Sequence, residues 1–248
     1  MKVFMSKMKQ SGLLIGSVAL SLFLTTACAQ TDQSANVKKL VEPKLGDNVK
    51  VDSVTKSPYA GLYEVTLGGE IYYTDEKANY LFVGDVMDLK THKNLTKAKI
   101  DNLNKIKIAD LPLDLALKQV KGDGKRVIAV FEDPNCGYCK RLRKELKNVD
   151  NITIYTFMYD ILSDDSAVKS KNIWCSDDPA QAWNDWMTDG KDAPAAPESC
   201  TSTPHQKILA LGNKLRINGT PAIFFEDGSR VPGFINAAAI EEKLKITP

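Results

Sequence analysis

The sequence predicts an α+β/α/β protein built from a small antiparallel β domain, a helical linker and a larger C-terminal α/β domain. Apolar and polar residues alternate between positions 61 and 89, as in strands with one buried face. A continuous apolar run at 127–131 precedes a helical pattern, which indicates a buried central strand followed by a helix. A basic, then apolar N-terminal segment precedes both domains and is typical of an export leader.

The leader covers residues 1–29, which contain three lysines and no acidic residue. The apolar run from Leu13 to Leu24 spans about 12 residues, too few to cross a bilayer as a helix. Small residues follow at Ala27-Cys28-Ala29, so we predict a signal peptide that is cleaved before Gln30. Alternatively, Cys28 is the lipidated residue of a lipoprotein signal.

Charge and composition exclude several classes of protein. The 248 residues include 33 Lys+Arg and 31 Asp+Glu, for a net charge of +2. Removal of the three leader lysines leaves 30 bases and 31 acids, a net charge of −1. This balance gives no support for nucleic-acid binding by bulk charge. With 43% hydrophobic residues, the chain is not intrinsically disordered either.

Residues 30–90 are predicted to form the N-terminal domain. Residues 30 to about 50 are polar and are expected to begin with a frayed terminus. Strands are expected at 63–67 and 71–73, joined by a Gly68-Gly69 hairpin, and at 80–83 and 86–89. A unit of about 60 residues buries little apolar surface alone. We therefore expect it to pair with a second copy, as a dimerisation domain.

Residues 91–121 are predicted to be a helical linker. Leu95, Lys99 and Leu103 recur at helical spacing in a solvated, Lys- and Asn-rich segment. A second short helix is expected from Leu111 to Val120, because apolar residues recur there three and four positions apart.

Residues 122–248 are predicted to form the C-terminal domain. Its strands and helices alternate as expected for a mixed sheet with helices packed against it. The expected order is a strand at 127–131, a helix from 136 to 146, a strand at 152–159, a helical insertion at about 160–215, strands at 222–225 and 230–231, and a helix at 236–244.

The strongest chemical motif is Cys136-Gly137-Tyr138-Cys139, between the central strand and the next helix. Free N–H groups and the dipole at a helix N-terminus favour a thiolate at the first cysteine. Cys139 lies about one turn inside the helix, which suits a shielded, resolving thiol. A zinc site would need two further ligands, and a purely structural disulfide would close too small a loop to stabilise the fold much.

Cys175 and Cys200 are expected to form a structural disulfide that closes a loop of about 26 residues, worth very roughly 3 kcal/mol. A second redox relay is the alternative. Thr220-Pro221 precedes a strand, and because proline cannot donate to a central ladder, we expect a special turn with a cis peptide bond. His92 and His205 are interpreted as surface residues, and the three tryptophans, Trp174, Trp183 and Trp186, as packing residues of the insertion.

Taken together, these motifs resemble the DsbC/DsbG family of periplasmic disulfide isomerases, which have a thioredoxin-like catalytic domain. The resemblance covers nearly the whole chain after the leader, and the Gly-Tyr pair favours its DsbC side. The segments that carry it are Asp133–Cys139, Trp174-Cys175 with Cys200, Gly219–Ala222, Val231–Gly233 and Tyr59–Val65.

The resemblance implies a V-shaped periplasmic homodimer that acts on unfolded or misoxidised exported proteins without a metal or cofactor. It implies that Cys136 is the attacking thiolate and Cys139 the resolving thiol. Pro221 would be the cis-proline beside them, and Thr220 would flank the site and adjust its reactivity. Cys175–Cys200 would match the structural disulfide of the family. A membrane reductase of the DsbD type would keep the active-site pair reduced.

The sequence thus favours a disulfide isomerase. Two alternatives stay open: a DsbG-like reductase of sulfenylated cysteines, and a holdase chaperone whose redox site is secondary.

Overall fold

The computed structural model describes residues 33–245, so the predicted signal peptide and Cys28 lie outside the described residues. Within 33–245, no helix is long and apolar enough to cross a membrane. The described chain contains a four-stranded and a five-stranded sheet, with one short strand pair between them in sequence.

The N-terminal unit is an antiparallel sheet with one helix packed against it. Its four strands lie side by side in chain order. Its elements are α1 (Ser34–Val41), β1 (Ser53–Lys56), β2 (Tyr63–Leu67), β3 (Glu70–Thr74) and β4 (Leu81–Phe82). Gly68 and Gly69 have φ angles of +60° and +82°, as a two-residue hairpin turn requires, so the predicted hairpin is confirmed.

The polar segment at the start of this unit contains a helix that the sequence analysis did not predict, α1, which begins at Ser34. Val37 and Val41 lie one turn apart on α1, and they are buried against Val51 and Val65 of the sheet domain. Two valines among polar residues are only a weak sequence signal for a helix. Their burial depends on a sheet whose strands lie further along the chain.

The linker region contains a short strand pair, β5 (Met87–Asp88) with β6 (Lys93–Asn94), and then α2 (Leu95–Leu103). Asn94 caps α2, since its side chain accepts a hydrogen bond from the Lys97 N–H at 2.7 Å. The predicted linker helix is therefore present at these residues.

The second helix predicted between Leu111 and Val120 is wrong. Leu113–Leu115 form a 3₁₀ turn, and Leu117–Lys121 form strand β7 at the edge of the C-terminal sheet. Apolar residues spaced three and four positions apart in so short a segment fit a helix or a strand. Pairing with a distant strand satisfies the backbone groups of this segment, and it leaves Val120 53% exposed.

The C-terminal sheet is mixed, as predicted. Its remaining strands are β8 (Arg126–Glu132), β9 (Ile152–Met158), β10 (Ala222–Phe225) and β11 (Arg230–Pro232). The order across the sheet is β11-β10-β8-β9-β7, with β8 and β9 parallel and the other pairs antiparallel.

Helices cover both faces of β8. Ile128 and Val130 share a core with α3 (Gly137–Leu146) and α7 (Ala237–Lys245), whereas Ala129 and Phe131 pack toward α6 (His205–Lys214) on the other face. Burial on both faces explains why β8 is a continuous apolar run rather than an alternating one. Its carboxyl end leads directly into the Cys-x-x-Cys segment.

The insertion between β9 and β10 consists of α4 (Asp164–Trp174), α5 (Pro179–Asp189) and α6. Cys175 and Cys200 form a disulfide with Cα atoms 6.0 Å apart, so the predicted pairing is present in the structure. Trp183 on α5 is buried in the cluster that also contains Cys136 and Cys139. The insertion therefore forms one wall of the cysteine site.

Candidate active site

Cys136 is the N-cap residue of α3, and a buried carboxylate shapes the turn that places it there. Asp133 accepts hydrogen bonds from the backbone N–H groups of Asn135 (2.7 Å) and Leu162 (2.9 Å) and from the Ser166 hydroxyl (2.9 Å). The Cys136 N–H donates to the Asp133 carbonyl oxygen at 3.1 Å. These contacts tie the turn to α4 and orient the first cysteine.

Two further side chains brace the same turn. The Asn135 amide donates to the carboxylate of Asp165 at 2.7 Å, and the Trp186 indole donates to the Pro134 carbonyl oxygen at 2.7 Å. Trp186 is thus more than the packing residue predicted from sequence. Its contact could not be read from helical spacing, since it joins positions 52 residues apart.

The two cysteines of the motif are reduced, adjacent and differently shielded. Cys136 Sγ accepts a hydrogen bond from the Cys139 N–H at 3.4 Å. Cys136 is 7% exposed and Cys139 is fully buried. Tyr138, between them, is 59% exposed and forms part of the surface around the site. A Cβ on Gly137 would meet no atom within 4 Å, so packing alone does not require glycine there.

Thr220 and Pro221 lie directly beside Cys136. The Thr220–Pro221 peptide bond is cis, as the sequence predicted. Cys136 Sγ lies 3.3 Å from the Thr220 carbonyl oxygen, to which the protonated thiol donates. The structure therefore brings Cys136, Cys139, Thr220 and Pro221 together, across more than 80 residues of sequence.

Hydrogen bonding lowers the pKa of Cys136 to about 5. The largest cause is the hydrogen bond from the Cys139 side chain. Hydrogen bonds from the Thr220 side chain and from the N–H groups of the first turn of α3 assist it, while burial opposes it. Burial raises the pKa of Cys139, as does its role as donor to Cys136. At neutral pH the pair therefore consists of one thiolate and one thiol.

This difference predicts a pH dependence for alkylation of the reduced protein. A group with a lowered pKa is ionised above that pKa, so the rate at Cys136 should be nearly constant above pH 6 and fall about tenfold per unit below pH 5. Rates with iodoacetamide, followed by mass spectrometry, measure this. In Cys139→Ala the midpoint should move up, because the largest stabilising contact is lost. A wild-type midpoint near the ordinary thiol value of 9.0 would contradict it.

Sequence reasoning missed a buried ion pair beneath the cysteines. Glu132 ends β8 and is fully buried, and Arg143 Nε on α3 donates to its carboxylate at 2.7 Å. Arg143 also donates to the carboxylate and to the Thr156 hydroxyl through Nη2. An acidic residue closing an apolar run, with an arginine one turn beyond Cys139, is the pattern that could have revealed it.

The remaining predicted residues lie outside this cluster or have other partners. His205 Nδ1 lies 2.7 Å from the buried Asp160 carboxylate, so His205 is not simply a surface residue. Cys175 and Cys200 are bonded to each other, so they cannot complete a zinc site with the motif cysteines. Among residues 33–245, no group of three or more His, Cys, Asp or Glu residues is arranged to hold a metal ion.

The fold and the site together define the class of protein, a thiol–disulfide oxidoreductase with a thioredoxin-like domain. The defining features are a mixed sheet, a Cys-x-x-Cys pair at a helix N-terminus and a cis-proline beside that pair. The family models agree with this class. Residues 113–247 match the thioredoxin-like domain, and residues 27–97 match the N-terminal domain of disulfide bond isomerase proteins.

Known relatives narrow the class further. The probable thiol:disulfide interchange protein DsbC of Bordetella parapertussis is 49% identical over 194 residues, covering 78% of this chain and 68% of the relative. DsbC of Escherichia coli K12 is 30% identical over 212 residues, covering 83% of this chain and 84% of the relative. The chain belongs to the DsbC family of thiol:disulfide interchange proteins.

A solved structure supports the fold of the catalytic half. The disulfide interchange protein of Neisseria gonorrhoeae is 37% identical and superposes with a TM-score of 0.52, over 54% of this chain and 96% of that one.

Proposed function

We propose that this protein isomerises non-native disulfides in exported proteins, with Cys136 as the nucleophile and Cys139 as the resolving thiol. The observation that carries the proposal is the asymmetry of the pair, a near-surface sulfur with its pKa at about 5 beside a fully buried thiol. Such a nucleophile is ionised at neutral pH and is also a good leaving group, and an isomerase needs both properties.

In the proposed cycle, the Cys136 thiolate attacks one sulfur of a substrate disulfide. One S–S bond forms between Cys136 and the substrate, one substrate S–S bond breaks, and a substrate thiolate is released. A second substrate thiolate then attacks the bridged substrate sulfur, which forms a new substrate disulfide and returns Cys136 as a thiolate. No electrons are gained or lost overall. If Cys139 attacks Cys136 instead, the substrate leaves reduced and the protein becomes oxidised.

A cleft beside Pro221 suits an extended substrate chain. It has a volume of about 370 Å³ and is lined by residues 216–222, Arg230, Pro232 and Gly233. We propose that substrate backbone lies along this cleft next to Cys136. Main-chain hydrogen bonds then provide affinity without much sequence preference, as unfolded chains require.

We further propose a homodimer formed through the N-terminal unit. β4 is an edge strand, and its neighbourhood exposes large apolar side chains. Their exposed fractions are 70% for Tyr80, 49% for Phe82, 77% for Val83 and 84% for Leu89. An apolar edge strand favours pairing with another strand, and the same strand of a second copy supplies one.

The proposed compartment is the periplasm, reached through the leader at 1–29, with either cleavage before Gln30 or lipidation of Cys28. A membrane reductase of the DsbD type is the proposed electron source, since each Cys136–Cys139 disulfide must be reduced before the next cycle.

Three activities of the purified mature protein, lacking residues 1–29, separate this function from its alternatives. Reactivation of scrambled ribonuclease should be fast, and reduction of a sulfenylated single-cysteine protein slow. A double variant, Cys136→Ser with Cys139→Ser, should lose the reactivation. A faster reaction with the sulfenylated protein would favour the reductase. Suppression of the aggregation of an unfolded protein is the third activity, and finding only this activity, undiminished in the double variant, would favour a holdase chaperone.

A further inference from the structure

The cleft beside Pro221 carries positive charge and no negative charge. Two of the residues that line it, Arg216 and Arg230, are arginines, and none is Asp or Glu. Within residues 33–245, neither arginine forms an ion pair with an acidic side chain. The described part of the chain therefore leaves two guanidinium charges in the cleft without a neutralising carboxylate.

The two arginines lie at the same end of the cleft. Arg230 Nη1 donates to the Leu215 carbonyl oxygen at 2.8 Å, and Arg216 is the residue directly after Leu215. The Arg230 guanidinium also lies 5.9 Å from the centroid of the Phe224 ring on β10. These contacts hold Arg230 in place before a substrate binds, which lowers the entropic cost of using it as a binding group.

Arg216 is supported by the N-terminal unit. The hairpin turn at Gly69 approaches the Arg216 guanidinium so closely that a Cβ on Gly69 would clash with it. The Asn104 amide, at the end of α2, donates to the Gly69 carbonyl oxygen at 3.3 Å and holds the turn there. The turn therefore restricts the position of Arg216 at the cleft, although Arg216 itself is exposed.

The strand pairing indicates where on a substrate these charges would act. Pro232 pairs with Ala222, the residue after Pro221, and Arg230 lies two positions before Pro232 on β11. Two residues of a strand span about 7 Å, and an extended substrate chain has a similar rise per residue. Arg230 would therefore reach substrate residues about two to four positions from the cysteine that is bonded to Cys136.

We propose that the cleft selects substrate segments that carry Asp or Glu about two to four residues from the reacting cysteine. This inference rests on the proposed function, because it names the class of substrate that the same cleft prefers. Main-chain hydrogen bonds do not discriminate between charges, whereas a guanidinium binds a carboxylate through two parallel N–H···O bonds. Arg216 and Arg230 are the residues that bind the acidic side chains.

The overall charge of the protein cannot produce the same preference. After the leader, the chain contains 30 bases and 31 acids, a net charge of −1. Long-range attraction would therefore weakly favour basic substrates, and the Cys136 thiolate adds a further negative charge at the site. A measured preference for acidic segments must consequently arise from local cations such as those of the cleft.

Three synthetic peptides test this preference with the purified mature protein in its reduced form. Each peptide has one cysteine bonded to 2-thiopyridine, and Glu, Gln or Lys at the second and third positions on both sides of that cysteine. The Cys136 thiolate attacks the peptide sulfur, so that a Cys136–peptide disulfide forms, the bond to thiopyridine breaks and thiopyridone is released. Its absorbance in a stopped-flow instrument gives the second-order rate constant.

The rate constant for the Glu peptide should exceed that for the Lys peptide about tenfold at low ionic strength, with the Gln peptide between them. One exposed ion pair changes binding by a few-fold, and two arginines act on the same segment. The ratio should fall to about twofold near 0.5 M salt, because salt screens exposed charges. Reaction of each peptide with 2-mercaptoethanol corrects for its intrinsic reactivity. Equal corrected rates for the three peptides would overturn the proposal.

Variants of the cleft show whether the arginines cause the preference. Arg216→Gln with Arg230→Gln should lower the Glu-to-Lys ratio to about one. Arg216→Glu changes only an exposed side chain, so it tests the proposal even if the double variant fails to fold, and it should shift the ratio toward the Lys peptide. Lys214→Gln is the matched control, since it removes an exposed cation of α6 that does not line the cleft, and it should keep the wild-type ratio. A wild-type ratio in Arg216→Glu or in the double variant would overturn the proposal.

Failure of the proposed function would give a different result. If the wild type released no thiopyridone from any of the three peptides, Cys136 would not be the nucleophile, and this inference would fall with the proposed function. Equal release from all three peptides contradicts the charge preference alone.

Discussion

Replacing Cys136 by alanine is expected to lower the rate of thiol–disulfide exchange by about 10³-fold or more, since it removes the only thiolate of the pair. Cys139 cannot substitute, because burial and hydrogen bonding hold its pKa well above the ordinary thiol value and it is fully buried. Turnover of a fluorescent disulfide peptide, with glutathione as reductant, measures the loss.

The matched control is Cys139→Ala, which removes the same atom from the other half of the motif. This variant should keep the attack step, at a lower rate below pH 7, because it keeps the Cys136 sulfur but loses the main contact that lowers its pKa. Equal activity losses in the two variants at the attack step would show that the cysteines do not have separate roles.

Replacing Arg143 by methionine is expected to destabilise the protein by about 3–5 kcal/mol, the usual cost of breaking a buried ion pair. The change leaves Glu132 buried without its cationic partner. Urea denaturation of the reduced protein at several pH values measures the effect. Lys144→Met removes an exposed cation from the same helix and should change the stability little.

The sign of the pH dependence follows from Glu132. Burial already raises its pKa above the ordinary value of 4.5, and loss of Arg143 should raise it further. The unfolded chain then binds fewer protons than the native protein between 4.5 and the raised pKa, so stability falls as pH rises through this window. The deficit should therefore be largest at neutral pH and shrink toward pH 5. A deficit that grows on acidification would show that Glu132 is not the group left unpaired.

Local patterns were sufficient to predict the features that depend on neighbouring residues. Strand β8 is a continuous apolar run, and α3 begins at the end of a turn, at Cys136. Both elements could therefore be predicted from short stretches of sequence. The cis peptide at Pro221 was also foreseen, because a proline before a central strand needs a special conformation.

Features that depend on distant partners were missed. Strand β7 was predicted as a helix, because its pairing with β9 lies more than 30 residues away in the sequence. The active-site turn is held by two contacts that no periodicity reveals. Asp133 in the turn accepts a hydrogen bond from Ser166 of α4, and Trp186 of α5 donates one to the Pro134 carbonyl oxygen. The Glu132–Arg143 pair joins a strand end to the second turn of a helix, and only the fold shows that both are buried.

Covalent trapping in Cys139→Ala tests the central claim most directly. The reduced variant is mixed with scrambled ribonuclease, quenched with acid and alkylated, and the disulfide-linked peptides are mapped by mass spectrometry. If Cys136 is the attacking thiolate, a mixed disulfide should accumulate with the substrate linked through Cys136, and the Cys175–Cys200 disulfide should stay intact. Substrate linked through Cys175 or Cys200, or no covalent complex at all, would contradict the assignment.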